Sequence, residues 1–546
     1  MYKELTAVKY ICSRFTQTSL PPVRGRYSIG GVAALVLLIV AGCSQISRPD
    51  VILITVDTLR PDRLGSYGCL AARTPNIDSL AARGIRFTQA TTPFPRTTPA
   101  LASLFTGLWP QHHGSREIFR PFEGGVTMAE VLRDRGYATF GVTANPAAGR
   151  KLHFDRGFQH FAGKQDLGSE IAEGVTDRAL AYARAPSRSE PLFLWVHYMD
   201  PHFPYLPPST FADQPEAAAC RRLMDEVAGK RLRIAHVEGD LNGVSSRALD
   251  DCRALYDAEI AYVDREIGRL LEGLGQLAPP DSAIIIFTSD HGENFGEAGL
   301  HFGHGSNVHD ASLRVPLIIA GPGVLKGVVD EQVFRLEDLL PTLLSLLRVS
   351  DSQLPITDGR DLSARILDRP VAAYPEEPVA LAESGSALNV PYFNQLFCGR
   401  VGDRSCVNGP EFSLCGYAGR EPSLYHTTLD PHLTIDVSDE FPRERQHLLA
   451  ASRHWAPEEA RERTARTARL KLVEYPRLGG GYRRALYDLR ADSLEMEVDV
   501  SGAHPAALRR LVAALDAWAA TISPPSMPAA RDETVLQSLR SLGYIE

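Results

Sequence analysis

Six side chains stand where a chain could hold a metal ion: Asp57; Asp200 and His202 in Asp200-Pro201-His202-Phe203-Pro204; Asp290 and His291; and His304 in His301-Phe302-Gly303-His304-Gly305. Carboxylate and imidazole donors without thiolate suit Zn²⁺ or Mn²⁺. Such an ion activates an oxygen nucleophile and neutralises charge on a transferred group. No HExxH, GxxxxGK or GxSxG occurs, which removes the motif basis for metalloprotease, P-loop nucleotide and serine-hydrolase chemistry.

Most of these residues follow apolar runs. Val51-Ile52-Leu53-Ile54-Thr55-Val56 ends at Asp57, Pro191-Leu192-Phe193-Leu194-Trp195-Val196 ends at His197 and Asp200, and Ala283-Ile284-Ile285-Ile286-Phe287-Thr288 ends at Ser289-Asp290-His291-Gly292. Continuous runs of this length predict strands buried on both faces of a parallel sheet. Ligands of open α/β sheets gather at the carboxyl ends of strands, so the three tips are expected to converge on one site. Helical periods at Asp78–Arg83, Met128–Arg135, Arg247–Leu274 and Arg335–Leu347 alternate with the runs, which predicts the α/β class.

A Pro/Gly/Asp-rich passage at Ser350–Asp361 sets a domain boundary near residue 365. Beyond it, Leu470–Tyr475, Gly479-Gly480-Gly481 and Arg484–Tyr487 predict a hairpin, and Ala506–Ala520 an amphipathic helix. Residues 366–546 therefore read as a smaller α+β subdomain after a catalytic domain at 50–365. With 546 residues, 44% of them hydrophobic, the chain can bury a large core. Its 58 Lys and Arg against 66 Asp and Glu leave no cationic surplus for nucleic acid, so no such partner is expected.

Lys3, Lys9, Arg14, Arg24 and Arg26 precede the apolar run Val32–Ala41. The run is shorter than the ~20 residues of a membrane span and fits an export signal. Val40-Ala41-Gly42-Cys43 resembles the lipobox of bacterial lipoproteins. That resemblance implies a signal peptide at 1–42, membrane attachment through a lipidated Cys43, a linker at 43–49, and residence at the periplasmic face of a bacterial envelope. Residues 1–42 carry five basic and one acidic side chain, so the remainder of the chain stands at −12. An exported chain can oxidise its cysteines. Cys220 with Cys252, and a pair among Cys398, Cys406 and Cys415, are the expected bridges.

Several segments resemble the sulfatase family of the alkaline phosphatase superfamily. They are Asp50–Asp62, Thr74-Pro75-Asn76-Ile77-Asp78, Thr97–Pro110, Ser289-Asp290-His291-Gly292-Glu293, Leu313-Arg314-Val315-Pro316-Leu317 and Leu539–Tyr544. The resemblance implies an alkaline-phosphatase-like fold, with a central, mostly parallel sheet flanked by helices. In that family a Cys or Ser in a Cys/Ser-x-Pro-Ser-Arg motif, ten residues before the Gly that here is Gly107, becomes formylglycine. Here the motif reads Thr97-Thr98-Pro99-Ala100-Leu101, and a threonine cannot yield that aldehyde, so no formylglycine is expected. The sulfate-binding Lys and His of the family are absent from Thr143-Ala144-Asn145-Pro146, and the Asp-Asp and Asp-Asn pairs become Asp57-Thr58 and Asp290-His291. Fewer acids and an added imidazole move preference from calcium toward zinc or manganese.

These departures resemble the threonine-nucleophile phosphodiesterases and phosphoethanolamine transferases of the same superfamily, which use two metals. The resemblance implies Thr97 as nucleophile and Asp57, Thr97, Asp290 and His291 around its metal. It matches His304 to the histidine that follows, and assigns Asp200 and His202 to a second ion, with His197, His301 and His309 as nearby alternatives. Asn145 is placed to donate to a non-bridging oxygen. The implied activity is hydrolysis of phosphate mono- or diesters. A sulfuric ester hydrolase, a phospho-group transferase of the phosphoethanolamine type and a non-catalytic envelope protein are the alternatives. The transferases carry several membrane spans and this sequence has none, which favours hydrolysis. The ester substrate itself is not readable, and Phe211–Asp250 is expected to lid the site.

Overall fold

The computed structural model describes residues 48–167, 172–184, 190–211, 218–220, 222, 246–277, 282–295, 297, 301–305, 307–349, 354–369, 378–384, 404–408, 412–417, 423–426, 437–443, 461–476, 482–493, 495 and 499–522. The export signal, Cys43, most of the expected lid, Cys398, Gly479–Gly481 and Leu539–Tyr544 lie outside them.

Pro49–Glu546 forms one compact unit. Its centre is an eight-stranded sheet of β1 (Asp50–Val56), β2 (Gly84–Thr91), β3 (Ala138–Thr143), β4 (His160–Ala162), β5 (Leu192–Tyr198), β6 (Ala283–Ser289), then, after the short hairpin β7 (Asn294–Phe295) and β8 (His301–Gly303), β9 (Leu317–Ala320) and β10 (Val328–Arg335). The order is β10-β2-β9-β6-β1-β5-β3-β4. Only β9 runs antiparallel to its neighbours. The β1 run explains the architecture: Val51 and Leu53 join one apolar cluster, and Ile52, Ile54 and Val56 join the one on the opposite face. A strand that is apolar at every position needs cover on both sides.

Helices supply that cover: α1 (Pro75–Arg83), α2 (Thr97–Thr106), α3 (Met128–Arg133), α4 (Ala172–Ala183), α5 (Ser246–Gly275) and α6 (Leu339–Leu346). α2 packs Leu101, Leu104 and Phe105 on the Val51/Leu53 face. It ends at Gly107, whose φ of 67° is left-handed and whose missing Cβ avoids Thr357. α3 starts at a capping box, Thr127 with Glu130. The helix expected at Arg335–Leu347 begins only at Leu339. Arg335 instead closes β10 beside Thr91, and its backbone N–H donates to Asp338.

The C-terminal part holds an antiparallel sheet of β11 (Ala380–Glu383), then, beyond a separate three-stranded sheet, β12 (Arg404–Asn408), β13 (Phe412–Tyr417) and β14 (Ser423–His426), the strands β15 (Arg463–Arg466), β16 (Leu470–Pro476) and β17 (Tyr482–Asp488). α7 (Pro505–Ala519) packs Leu511, Leu515 and Trp518 on it. Cys220 and Cys252 form a disulfide. Cys406 and Cys415 are paired backbone positions in the β12–β13 register. Among the described residues no helix is long and apolar enough to cross a membrane.

Candidate active site

Register places the chemistry. Thr143, His197, Thr55 and Thr288 form one row across β3, β5, β1 and β6. Side chains two residues apart share a face of the sheet, so Asn145, Asp57 and Asp290 emerge one row further on, over the face that α2 covers. Thr58, next to Asp57, takes a left-handed backbone with φ 54°, unusual for a β-branched residue. Its N–H thereby reaches Asp290 Oδ1 at 3.2 Å. Gly292 beyond His291 has no room for a Cβ against the Ala311 carbonyl.

Thr97 is the first residue of α2 and is 1% exposed. Its Oγ1 lies 3.5 Å from His291 Nε2 and 3.4 Å from Asn145 Nδ2. His291 Nε2 is also 3.4 Å from Asp290 Oδ2 and 3.8 Å from Asp57 Oδ1. Because His291 Nδ1 meets the Gly292 carbonyl at 3.0 Å, it must carry the proton, and Nε2 offers its lone pair to the site. Asn145 is oriented in the same way. Its Oδ1 accepts from Ala147 N–H at 2.7 Å, so Nδ2 points at Asp57 Oδ2 and Thr97.

Three buried atoms here have no hydrogen-bond partner: Asp57 Oδ1, Asp290 Oδ2 and His197 Nε2. One ligand atom each from Asp57, His197 and Asp290 lie within 4.8 Å of one another. Ligands about 2.1 Å from one ion in tetrahedral array are separated by about 3.4 Å. The His291 Nε2 spacings to Asp290 and Thr97 match that value, the one to Asp57 is somewhat longer, and all exceed good hydrogen bonds. The donor set therefore fits a divalent cation. Burial pushes both carboxyls toward protonation. On Asp57 the surrounding imidazoles of His197, His202 and His291 outweigh it and hold the group well below the usual range. Asp290, facing Asp57, is pushed up by burial and then by that neighbour's charge.

The other expected residues divide. His202 and His304 join the site, with ring centroids 5.3 Å apart and His304 4.3 Å from His291. His202 Nδ1 donates to the Phe203 carbonyl at 2.5 Å and His304 Nδ1 to Glu293 Oε1 at 3.3 Å, so both turn Nε2 outward. Asp200 is not brought to this group. Odd-numbered β5 residues face α2 and even-numbered ones the opposite cluster. Asp200 follows the even set, taking a hydrogen bond from the Ala172 backbone near Glu259 and Glu266, and burial pushes its carboxyl up to about 6. His309 is held by Glu495 at 3.1 Å. The sequence pattern makes His197 only an alternative ligand and gives Glu293 no role of its own.

An α/β sheet of alkaline-phosphatase type, with acids and imidazoles at its carboxyl edge and a small antiparallel C-terminal sheet, defines the class of protein. The model of the family "Sulfatase" matches residues 49–349, and the chain belongs to that family: it is an ester hydrolase of the alkaline phosphatase superfamily. It is 27% identical to an arylsulfatase of Clostridium perfringens over 374 residues, covering 56% of this chain and 76% of the relative. A choline-sulfatase of Rhizobium meliloti is also 27% identical, over 58% and 71% of the two chains. Among solved structures, a protein in complex with its substrate D-glucosamine-2-N,6-O-disulfate superposes with a TM-score of 0.60, 18% identity and coverage of 87% and 98%. A phosphonate monoester hydrolase from Silicibacter pomeroyi superposes with 0.56, 20%, 85% and 94%. Both share the fold.

Proposed function

We propose that this hydrolase cleaves phosphate mono- or diesters with Thr97 as nucleophile and zinc or manganese as cofactor. The observation that carries the reading is Thr97 Oγ1 at the N-terminus of α2, 3.5 Å from the His291 lone pair and beside the two unpartnered carboxylate oxygens. A divalent ion held by Asp57, Asp290 and His291 would acidify the Thr97 hydroxyl and neutralise charge on the transferred group. The residues supply the rest. The positive end of α2 favours an alkoxide and the anion it attacks. Asn145 Nδ2 is aimed where a non-bridging oxygen would lie. The Thr97 oxygen–phosphorus bond forms as the ester oxygen departs with its electron pair. Water then releases the phosphothreonine as phosphate or its monoester. His202 and His304, with unprotonated Nε2 outward, are positioned to take a proton from the water that releases the phosphothreonine or to hold a second ion, the departing oxygen taking its proton from solvent.

Sulfate-ester hydrolysis is the second reading, favoured by relatives named arylsulfatase and choline-sulfatase. The two are separated by assaying the Zn²⁺- or Mn²⁺-loaded protein on p-nitrophenyl sulfate and on p-nitrophenyl phosphate mono- and diesters. Phosphate turnover lost in Thr97→Ala supports the first reading; preferential sulfate turnover overturns it. Export and attachment through a lipidated Cys43 complete the proposal, tested by membrane retention of the chain and its release in Cys43→Ser.

A further inference from the structure

We propose that His197 is a metal ligand, through Nε2, at the ion held by Asp57 and Asp290, and that it biases this position toward zinc-class ions over calcium. The inference rests on the metal-dependent reading above and adds a ligand from a strand that the altered family motif does not include.

The argument starts inside β5. His197 stands opposite Thr55 and Thr143, directly beneath the Asp57–Asn145 contact, and is fully buried. Its Nδ1 lies 2.8 Å from Thr55 Oγ1. That oxygen also accepts the Trp195 Nε1 proton at 2.9 Å and can turn its own hydrogen to the Val196 carbonyl at 3.4 Å. A threonine oxygen has two lone pairs, so it can receive His197 Nδ1–H as well as the indole. In that arrangement the imidazole keeps a lone pair on Nε2.

That lone pair has no hydrogen-bond partner. Its near neighbour is Asp57 Oδ2 at 3.6 Å, too long for a hydrogen bond. A buried acceptor facing a carboxylate is unfavourable unless a cation lies between them. The mutual distances of the His197, Asp57 and Asp290 donors permit one. The Trp195–Thr55 support has the form of the outer hydrogen bonds that orient metal-binding histidines. Calcium prefers six to eight oxygens, whereas imidazole suits zinc and manganese, so a second imidazole beside His291 shifts the preference.

The test is direct metal binding by the full chain, stripped with a chelator and titrated with Zn²⁺, Ca²⁺ and Co²⁺. His197→Ala is expected to weaken Zn²⁺ about a hundredfold, shift the visible Co²⁺ spectrum and leave Ca²⁺ affinity unchanged. Thr55→Val, which keeps the imidazole and removes its anchor, is expected to cost about tenfold in Zn²⁺ affinity, and carries the test if His197→Ala does not fold. Wild-type Zn²⁺ affinity and Co²⁺ spectrum in folded His197→Ala, or unchanged Zn²⁺ affinity in Thr55→Val, overturn the assignment. Thr97-dependent phosphate turnover alongside that result would leave the catalytic reading standing. His197-dependent Zn²⁺ binding in a protein without phosphate turnover would do the reverse.

Discussion

Thr97 Oγ1 and His291 Nε2 face each other at 3.5 Å across the mouth of the sheet, too far apart for a strong hydrogen bond, and His291 Nε2 has no proton to give. His291 Nδ1 holds the ring hydrogen against the Gly292 carbonyl. The pair is arranged as two donors to a common acceptor of electrons, which is what a cation provides. On the proposed reading, an ion shared with an imidazole and two carboxylates would make the Thr97 hydroxyl a nucleophile at neutral pH.

Thr97→Ala removes the proposed nucleophile and leaves Asp57, Asp290 and His291. Turnover of p-nitrophenyl phosphate esters is expected to fall at least about a thousandfold with bound metal retained. Elemental analysis beside the kinetic assay checks both halves. Retained turnover would move the nucleophile elsewhere, and lost metal would make Thr97 chiefly a ligand.

Asn145 bridges Asp57 and Thr97 while its carbonyl is held by Ala147 N–H. Asn145→Ala removes a fixed donor from the place where the proposed mechanism develops charge, so kcat should fall roughly a hundredfold with KM changed much less. Steady-state kinetics on the metal-loaded variant measure the split. A rise in KM alone would mean that Asn145 binds ground state and transition state equally.

Much of this arrangement is legible in the chain. The runs ending at Asp57, Asp290 and His197 are the middle strands β1, β6 and β5 of the sheet, because continuous apolar runs have one solution, burial on both faces. Less regular strands such as Gly-Ile-Arg-Phe-Thr-Gln-Ala-Thr in β2 gave no comparable signal. Asp200 and His197 mark the limit at the site. Reading outward from the end of a run favours Asp200, but side-chain alternation sends the even-numbered residue to the far face and keeps His197 on the near one. Parity relative to Asp57 depends on the β1–β5 register, which no single sequence prints.

The Cys220–Cys252 bridge closes a separation of 32 residues and ties the segment after β5 to α5. Chain-entropy arguments give about 3–4 kcal/mol for a loop of this length. Cys252→Ser should therefore lower the denaturant midpoint without changing metal content. Equilibrium unfolding of both proteins under non-reducing conditions checks it, and coincident curves would show that the bridge constrains the unfolded chain little.

Asp200 separates stability from catalysis. Its ordinary value of 3.8 rises to about 6 in the fold because burial disfavours the charge, and Glu266 adds to that. Between those values the native state keeps a proton that the unfolded chain has released, so this group's contribution becomes less favourable as pH rises through that interval. Above pH 6 the full cost is present; below about 3.8 it is gone. Asp200→Asn removes it, so the variant should be more stable than wild type at pH 8 by on the order of 3 kcal/mol, with the two proteins converging near pH 3.5. Thermal unfolding across that range tests the sign. Metal content tests the placement, since a carboxylate turned toward Ala172 and Glu259 has no ion to hold. A variant that loses both stability and metal at pH 8 would return Asp200 to the site.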